Sequence, residues 1–314
     1  MRYKVSVPGH YNGHSNGHRV GLRATMRRMR ATFHIQTRRG AVRPVSVQHR
    51  DLDRLRLLGR WYALTARQVA RYERGWATPF TVEDLDRDTN VVRKRLRLFE
   101  QIARESGGVG PPVTQLQDFD GTVRWSLTSY AEAWIEGTWA IRKAATAMYA
   151  AHAGAAFDVA MDLAPTVHAV GARLISEREM LTCVDENGDN LPDLASVWGG
   201  KRAEPDIVIL AADGASRIIV EVERQQRGRQ SNYERKVVAY ADDPDVVAVW
   251  YVTDGPAATR RVERAVVEAR QTHPHANVTV TPMVHADGFV QVRKTAGMVR
   301  DLTVLRDRRG ALSA

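Results

Sequence analysis

The sequence PDIVILAADGASRIIVEVE, residues 205–223, decides the fold of the chain. Two short runs of β-branched residues flank a turn at Asp213-Gly214, a pattern that predicts a β-hairpin. The hairpin holds Asp206 at the start of its first strand and Glu221 and Glu223 at the end of its second. Because residues 221 and 223 are two apart, we expect their side chains on one face of the sheet.

The segment NYERKVVAY, residues 232–240, follows the hairpin and places Tyr233, Val237 and Tyr240 at helical spacing. Carboxylates that converge at one end of a sheet repel one another unless a cation lies among them. Hard oxygen ligands of this kind suit Mg²⁺. We therefore predict that Asp206 and Glu221 bind Mg²⁺, for which Mn²⁺ can substitute.

These residues resemble the motif of the PD-(D/E)XK nuclease superfamily, which is a Pro-Asp pair, a strand hairpin, an acidic residue, one spacer and a Lys. Glu223 stands where the motif has Lys. Some superfamily members carry the Lys on the following helix, so the resemblance implies that Lys236 replaces it. More narrowly, the spacing is similar to that of the replication-relaxation family of actinobacterial plasmids and phages. In that family a DNA-binding helical domain precedes such a core, and the resemblance covers residues 50–285.

A further carboxylate and several basic residues complete the site that the resemblance implies. Glu177, in a short "SERE" stretch, is the first choice for the extra carboxylate, and Asp158 or Asp162 on the preceding helix is the alternative. The implied catalytic set is Asp206, Glu221, Glu223, Lys236 and Glu177. Arg224, Arg227 and Arg229 would hold the phosphate backbone. His152, just before the predicted helix from Ala155, is interpreted as a packing or capping residue rather than a ligand.

The positive charge of the chain lies at its N-terminus. The net charge is +10, from 46 basic and 36 acidic residues, and residues 1–50 contain 11 Lys or Arg and no Asp or Glu. The remaining residues carry 35 basic and 36 acidic side chains, which sum to −1. This excess indicates a nucleic-acid partner. A single cysteine excludes an internal disulfide framework, and no apolar run could span a membrane.

Residues 51–150 have the order of a winged helix-turn-helix. A helix with Leu52, Leu55 and Leu58 comes first, and Thr65 is predicted to cap a second helix. A third helix is expected from about Asn90 to Arg104, burying Val91, Leu98 and Ile102 or their neighbours, and a strand at 123–127 completes a β-wing. The third helix would enter the major groove. Its predicted DNA-binding residues are Arg93, Lys94, Arg95 and Arg97. A helical domain with a solvated basic face, or one that binds protein, is the alternative.

The predicted fold class is therefore α/β with several parts: a winged helix-turn-helix and a PD-(D/E)XK restriction-endonuclease-like α/β sandwich. We expect a basic, flexible arm over residues 1–50, the winged helix over 51–150, the nuclease-like domain over 151–285 after a linker near Ala150–Gly154, and a basic tail over 286–314.

The expected function is DNA binding, to duplex or junction, in plasmid or phage maintenance or replication, with Mg²⁺-dependent nicking or cleavage left open. The alternative is a catalytically inactive nuclease-fold adaptor or transcription regulator that acts through protein partners. A cytoplasmic location fits the composition, and the second domain could also form a homodimer.

Overall fold

The structure, a computed structural model, describes residues 32–36, 42–75, 78–106, 110–131, 134–135, 146–185, 189–198, 201–224 and 230–307. The chain divides into two compact units. Unit 1 comprises Met1–Ala70 and Phe80–Ala147, and unit 2 comprises Arg71–Pro79 and Met148–Ala314. As predicted, the chain is a mixed α/β protein. No helix in the described ranges is both long enough and apolar enough to cross a membrane.

The first part of the chain, through residue 131, combines helices with a small sheet. Its elements are β1 (Thr32–Gln36), β2 (Val42–Ser46), α1 (His49–Trp61), β3 (Ala63–Leu64), α2 (Ala66–Arg74), α3 (Val82–Ser106), β4 (Val113–Gln117) and β5 (Val123–Leu127). Strands β3, β5 and β4 form an antiparallel sheet in that order. The predicted strand at 123–127 and the helix that follows Thr65 are both confirmed.

Local hydrogen bonds explain where these helices begin. The hydroxyl of Thr65 accepts a hydrogen bond from the Gln68 amide at 3.0 Å, and the Gln68 side chain accepts one from the Thr65 amide at 2.9 Å. This reciprocal cap satisfies two donors at the first turn of α2. Helix α3 is longer than expected, and its inward residues are Val92, Leu96 and Phe99. Val91, expected inside, is half exposed because its neighbour Val92 occupies the buried face of the helix instead.

Within the predicted flexible arm of residues 1–50, the described residues 32–36 and 42–50 form strands and the start of a helix. Strands β1 and β2 form an antiparallel hairpin in which Thr32 pairs with Ser46. Helix α1 then begins at His49. In β1 the apolar Phe33 and Ile35 alternate with polar residues, a pattern that favours a strand despite the basic composition. His10, His14 and His18, which recur every four residues in the sequence, lie outside the described residues.

Unit 2 is built on a six-stranded sheet. The strands of unit 2, two of which lie outside this sheet, are β6 (Arg173–Ser176), β7 (Ser196–Trp198), β8 (Lys201–Ala203), β9 (Ile207–Leu210), β10 (Arg217–Glu223), β11 (Val246–Thr253), β12 (Val278–Ala286) and β13 (Phe289–Val292). Its helices are α4 (Ala147–Ala169), α5 (Glu177–Thr182), α6 (Gln230–Ala241), α7 (Pro256–Thr272) and α8 (Ala296–Asp307). The main sheet has the order β13-β12-β11-β10-β9-β6, and β7 pairs with β8 separately.

The predicted hairpin is confirmed as the antiparallel pair β9 and β10 at the centre of this sheet. Strands β10, β11 and β12 run parallel, so each connection between them crosses a face of the sheet and carries a helix. Helices α6 and α7 cover one face, where Tyr240 and Val262 pack with Tyr251. On β11, next to Tyr251, the indole of Trp250 donates a hydrogen bond to Asp301 of α8 at 2.9 Å. Helices therefore contribute to both sides of the sheet.

Helix α4 runs through the segment expected to be a linker. The split between the units falls at Ala147, and the helix continues without a break through Ala150–Gly154 to Ala169. The alanine-rich sequence favours helix, and buried Gly154 is tolerated because it packs inside. As a result His152 lies within a helix rather than before one.

Of the residues expected to form a basic tail over 286–314, the described ones up to Asp307 instead complete the sheet and cover it. Strand β13 pairs with β12, and α8 buries Met298, Leu302 and Leu305. Two carboxylates of α4 hold this edge strand. Asp158 accepts a hydrogen bond from the Val290 amide and Asp162 one from the Val292 amide, both at 3.1 Å. The segment was expected to be a tail because of its basic residues, although its apolar residues recur at helical spacing.

Candidate functional site

Carboxylates from several elements of unit 2 converge at one end of the sheet. Asp206 directly precedes β9, and its carbonyl accepts a hydrogen bond from the Glu177 amide at the start of α5. Glu221 and Glu223 lie at the end of β10, and both contact side chains of α6. The two glutamates therefore share a face, as their spacing predicts. The structure brings together all five residues of the expected catalytic set, which are Asp206, Glu221, Glu223, Lys236 and Glu177.

Glu221 is the most deeply enclosed carboxylate of the group, with 2% of its side chain exposed. Lys236 donates a hydrogen bond from Nζ to its Oε2 atom at 2.7 Å, and Tyr240 donates one to Oε1 at 2.5 Å. Burial would lower the pKa of Lys236, but Glu221 and Asp206 outweigh it and raise the pKa above its ordinary value. Lys236 therefore carries its positive charge into the cluster.

Asp206 forms a second ion pair within the same group. Its Oδ1 atom lies 2.8 Å from Nε2 of His152, and its Oδ2 atom accepts the Val222 amide at 2.7 Å. Burial alone would raise the pKa of Asp206, yet His152, Lys236 and the Val222 amide hold the pKa below its ordinary value. For His152, burial opposes the charge, but Asp206 raises the pKa of the imidazole on balance. The contact between the two side chains therefore favours the charged form of each.

The two outer carboxyl groups bind tyrosine hydroxyls. Tyr233 donates to Oε2 of Glu223 at 2.9 Å, and Tyr149 donates to Oε2 of Glu177. Burial, reinforced by Asp206 and other acidic neighbours, raises the pKa of Glu177 to about 8. Burial and the charge of Glu221 raise the pKa of Glu223 to about 7, against the Tyr233 hydrogen bond. At neutral pH Glu177 is therefore mostly protonated, and Glu223 is near its midpoint.

Glu177, rather than either alternative on the preceding helix, lies within this group of carboxylates. Asp158 and Asp162 bind the backbone of β13, whereas Glu177 interacts with Asp206 and Glu221. Two other members of the group, Tyr149 and His152, were not predicted as site residues. Their spacing of three residues, which places both on one face of α4, is the signal in the sequence.

The basic residues predicted to bind DNA have different environments. On α3, Arg93, Lys94 and Arg97 are exposed. Arg95 instead donates from Nε to Oδ1 of Asp51 at 3.0 Å and is one-quarter exposed, so it has a structural role in unit 1. In unit 2, Arg224 lies 3.7 Å from Asp254 and is largely buried. Arg227 and Arg229 lie outside the described residues.

In this arrangement the carboxylates do not present a ready site for Mg²⁺. All four carboxylate oxygens of Asp206 and Glu221 already contact protein donors, from His152, Val222, Lys236 and Tyr240. Within the described part of the chain, no group of three or more His, Cys, Asp or Glu residues is placed to hold a metal ion. The oxygen chemistry suits a hard cation, but the ammonium of Lys236 and the ring of His152 already contact oxygens of these carboxylates.

Comparison of the chain with protein-family models, with curated proteins and with solved structures gave no match.

Proposed function

We propose that this chain is a DNA-binding protein of plasmid or phage maintenance or replication, similar to the replication-relaxation family. In this proposal unit 1 is a winged helix-turn-helix and unit 2 a PD-(D/E)XK nuclease-like domain. The observation that carries the proposal is the convergence of Asp206, Glu221 and Lys236 from three separate elements at one end of the sheet. The motif demands such a convergence, and the sequence spacing alone does not ensure it.

The topology of unit 1 supports DNA binding through α3. The order α1, β3, α2, α3, β4, β5, with a sheet ordered β3-β5-β4, is compatible with the winged helix that we propose. Its third helix is the one that enters the major groove in proteins of this architecture. Arg93, Lys94 and Arg97 are exposed on α3, where they can meet phosphates or base edges. The first turn of α3 is acidic, with Glu83 and Asp84, so the middle of the helix is the better DNA contact.

The topology of unit 2 supports the nuclease-like assignment. Helix α4 is followed by the antiparallel run β6, β9 and β10, then by α6 and by β11, which is parallel to β10. This helix, three strands, helix and strand is the core that the PD-(D/E)XK resemblance implies. The missing motif Lys at Glu223 is compensated by Lys236, whose ammonium reaches Glu221 from α6. DNA cleavage with Mg²⁺ is the activity that the resemblance adds, and it would require Asp206 and Glu221 to be released from their present partners.

A second candidate function is a catalytically inactive adaptor or transcription regulator on the same fold. The observation that favours it is that every carboxylate of the cluster contacts a protein donor. Asp206 in particular accepts the Val222 amide and so extends the strand pairing, which is a structural role. In this candidate the cluster stabilises unit 2, and the protein acts by binding protein partners and does not cleave DNA.

Incubation of the protein with supercoiled plasmid, in Mg²⁺, in Mn²⁺ and in EDTA, tests these functions. The variant Asp206→Asn, Glu221→Gln removes both charges with little change of shape, and Glu268→Gln, an exposed carboxylate of α7, is the matched control. Metal-dependent nicking lost only in the double variant supports the nuclease. A gel shift without nicking, equal in all three proteins, supports DNA binding on an inactive core. Neither shift nor nicking overturns the DNA proposal in favour of the adaptor.

A further inference from the structure

Tyr251 of β11 has a buried hydroxyl for which the described part of the chain supplies no hydrogen-bond partner. The whole side chain is enclosed, with none of its surface exposed. Leaving a buried hydroxyl without a partner costs free energy, and phenylalanine in the same place would avoid that cost. Packing alone therefore does not account for a tyrosine at this position.

The Tyr251 side chain lies beside the carboxylate cluster. In the parallel pair of β10 and β11, Tyr251 is the register partner of Glu221, and it packs in the same core as Tyr240. Burial, followed by the charges of Glu221 and Glu223, raises the pKa of Tyr251 well above its ordinary value. The hydroxyl therefore keeps its proton and is a hydrogen-bond donor next to a group of acceptors.

Helix α6 already supplies a donor to each oxygen of Glu221. Tyr240 donates to Oε1 at 2.5 Å, and Nζ of Lys236 donates to Oε2 at 2.7 Å. A third tyrosine, Tyr233, donates to Oε2 of Glu223 at 2.9 Å. Of the three tyrosines around these two glutamates, two thus have a carboxylate partner in the present arrangement, and Tyr251 does not.

Of the two contacts to Glu221, the one from Lys236 is able to open. The Lys236 side chain is 36% exposed and has a flexible stem, so its ammonium can exchange the carboxylate for water. Tyr240 is fully enclosed and has no such route to solvent. When Lys236 turns away, Oε2 of Glu221 remains enclosed and loses its donor, which is unfavourable unless another donor replaces it.

We propose that Tyr251 is a positioning residue whose hydroxyl donates to Glu221 in a second arrangement, in which Lys236 has turned to solvent. Paired residues of neighbouring strands are only about 5 Å apart, so the two side chains are close enough for this contact. The hydroxyls of Tyr240 and Tyr251 then hold the carboxyl group in place. In the proposed function, cleavage would require release of Glu221 from Lys236, and the inference rests on that function only for this consequence.

The test is the effect of Tyr251→Phe on urea unfolding at pH 7 in two backgrounds, the unaltered chain and Lys236→Met. Methionine has a similar length and no donor, so it represents a lysine that has turned away. In the unaltered chain we expect the equilibrium constant for folding to stay the same or rise, because a hydroxyl without a partner is removed. In Lys236→Met we expect it to fall by about tenfold, the loss of one hydrogen bond.

Tyr240→Phe is the matched control because this hydroxyl already donates to Glu221. It should lower the equilibrium constant for folding in both backgrounds, so only Tyr251 should show an effect that depends on Lys236. Lys236→Gln gives a second background if Lys236→Met does not fold. An equal loss for Tyr251→Phe in both backgrounds would mean a constant partner, and no loss in either would mean no second arrangement. Each result would overturn the inference.

A gel shift and a nicking assay on the same proteins separate this inference from the proposed function. DNA binding or nicking without the dependence on Lys236 leaves the function standing and removes the role of Tyr251. The dependence on Lys236 without DNA binding or nicking supports the second arrangement and overturns the proposed function.

Discussion

The ammonium of Lys236 on α6 lies 2.7 Å from Oε2 of Glu221 at the end of β10, and the two residues are fifteen positions apart in the chain. The ion pair is asymmetric because Glu221 is enclosed and Lys236 reaches solvent with about a third of its side chain. Removal of the lysine therefore leaves a buried carboxylate without its cation, whereas removal of both charges leaves two neutral groups. The pair can be tested as a unit.

We predict that Lys236→Gln lowers the free energy of unfolding by about 1–3 kcal/mol, less than for a fully buried pair because Lys236 is partly solvated. Combining it with Glu221→Gln should recover most of the loss, since no uncompensated charge remains. Urea unfolding of the two single variants and the double variant gives the coupling energy directly. Strictly additive losses would contradict the coupling that the geometry indicates.

The stability of unit 2 should fall as the pH rises from about 5 to 6.5 because burial raises the pKa values of Glu177, Glu223 and Glu221 in the folded protein. The pKa of Glu177 is raised from the ordinary value of 4.5 to about 8 and that of Glu223 to about 7. In this window the folded state keeps protons that the unfolded chain has released, so the free energy of unfolding decreases with pH. His152, whose raised pKa acts in the same direction, contributes only above its ordinary value of 6.5.

Glu177→Gln replaces the protonated carboxyl by an amide of the same shape. We expect it to reduce the negative slope by up to about 1.4 kcal/mol per pH unit, the limit for one proton. Urea unfolding at several pH values measures the slope, and Glu268→Gln serves as the exposed control. An unchanged slope in Glu177→Gln would mean that groups other than Glu177 cause the dependence of stability on pH.

Substitution of Arg95 should affect stability, whereas substitution of its exposed neighbours on α3 should affect DNA binding. Its guanidinium binds the enclosed carboxylate of Asp51, so Arg95→Ala is expected to lower stability by about 1–3 kcal/mol. Arg93→Ala and Arg97→Ala, at exposed positions, should leave stability unchanged. Under the DNA proposal each should reduce the salt dependence of DNA binding by about one unit of log–log slope. Thermal unfolding and fluorescence anisotropy at several salt concentrations check the two effects.

The central sheet and its motif residues were predictable because their signals are local. The hairpin at 205–223 has β-branched runs and a Gly turn, and spacing by two places Glu221 and Glu223 together. The helical spacing of Tyr233, Val237 and Tyr240 likewise predicted the helix that carries Lys236, whereas Lys236 itself was a candidate only through the resemblance. These patterns depend only on the periods of strands and helices, so one sequence suffices.

Other parts of the site depend on contacts between segments far apart in the chain. His152 reaches Asp206 across 54 positions, and Asp158 reaches Val290 across 132. The periodicity of apolar residues gives no information on contacts between residues so far apart in the sequence. The extent of α4 was also misjudged, because Gly154 suggested a linker although its burial makes a small residue favourable there. The role of His152 could be assigned only once the helix was known to continue.

The C-terminal helix α8 provides a final test of how the chain completes unit 2. Leu302 is buried against the sheet, whereas Val299 and Val304 on the same helix are about half exposed. Leu302→Ala should lower the free energy of unfolding by about 2–4 kcal/mol, because it removes apolar contact and leaves a cavity. Val299→Ala and Val304→Ala should each change it by less than about 0.5 kcal/mol. Urea unfolding followed by tryptophan fluorescence compares the three variants. Equal, small effects in all three variants would mean that residues 286–314 behave as the tail that their basic composition suggests. A loss of stability in Leu302→Ala alone would show that α8 is part of the folded core.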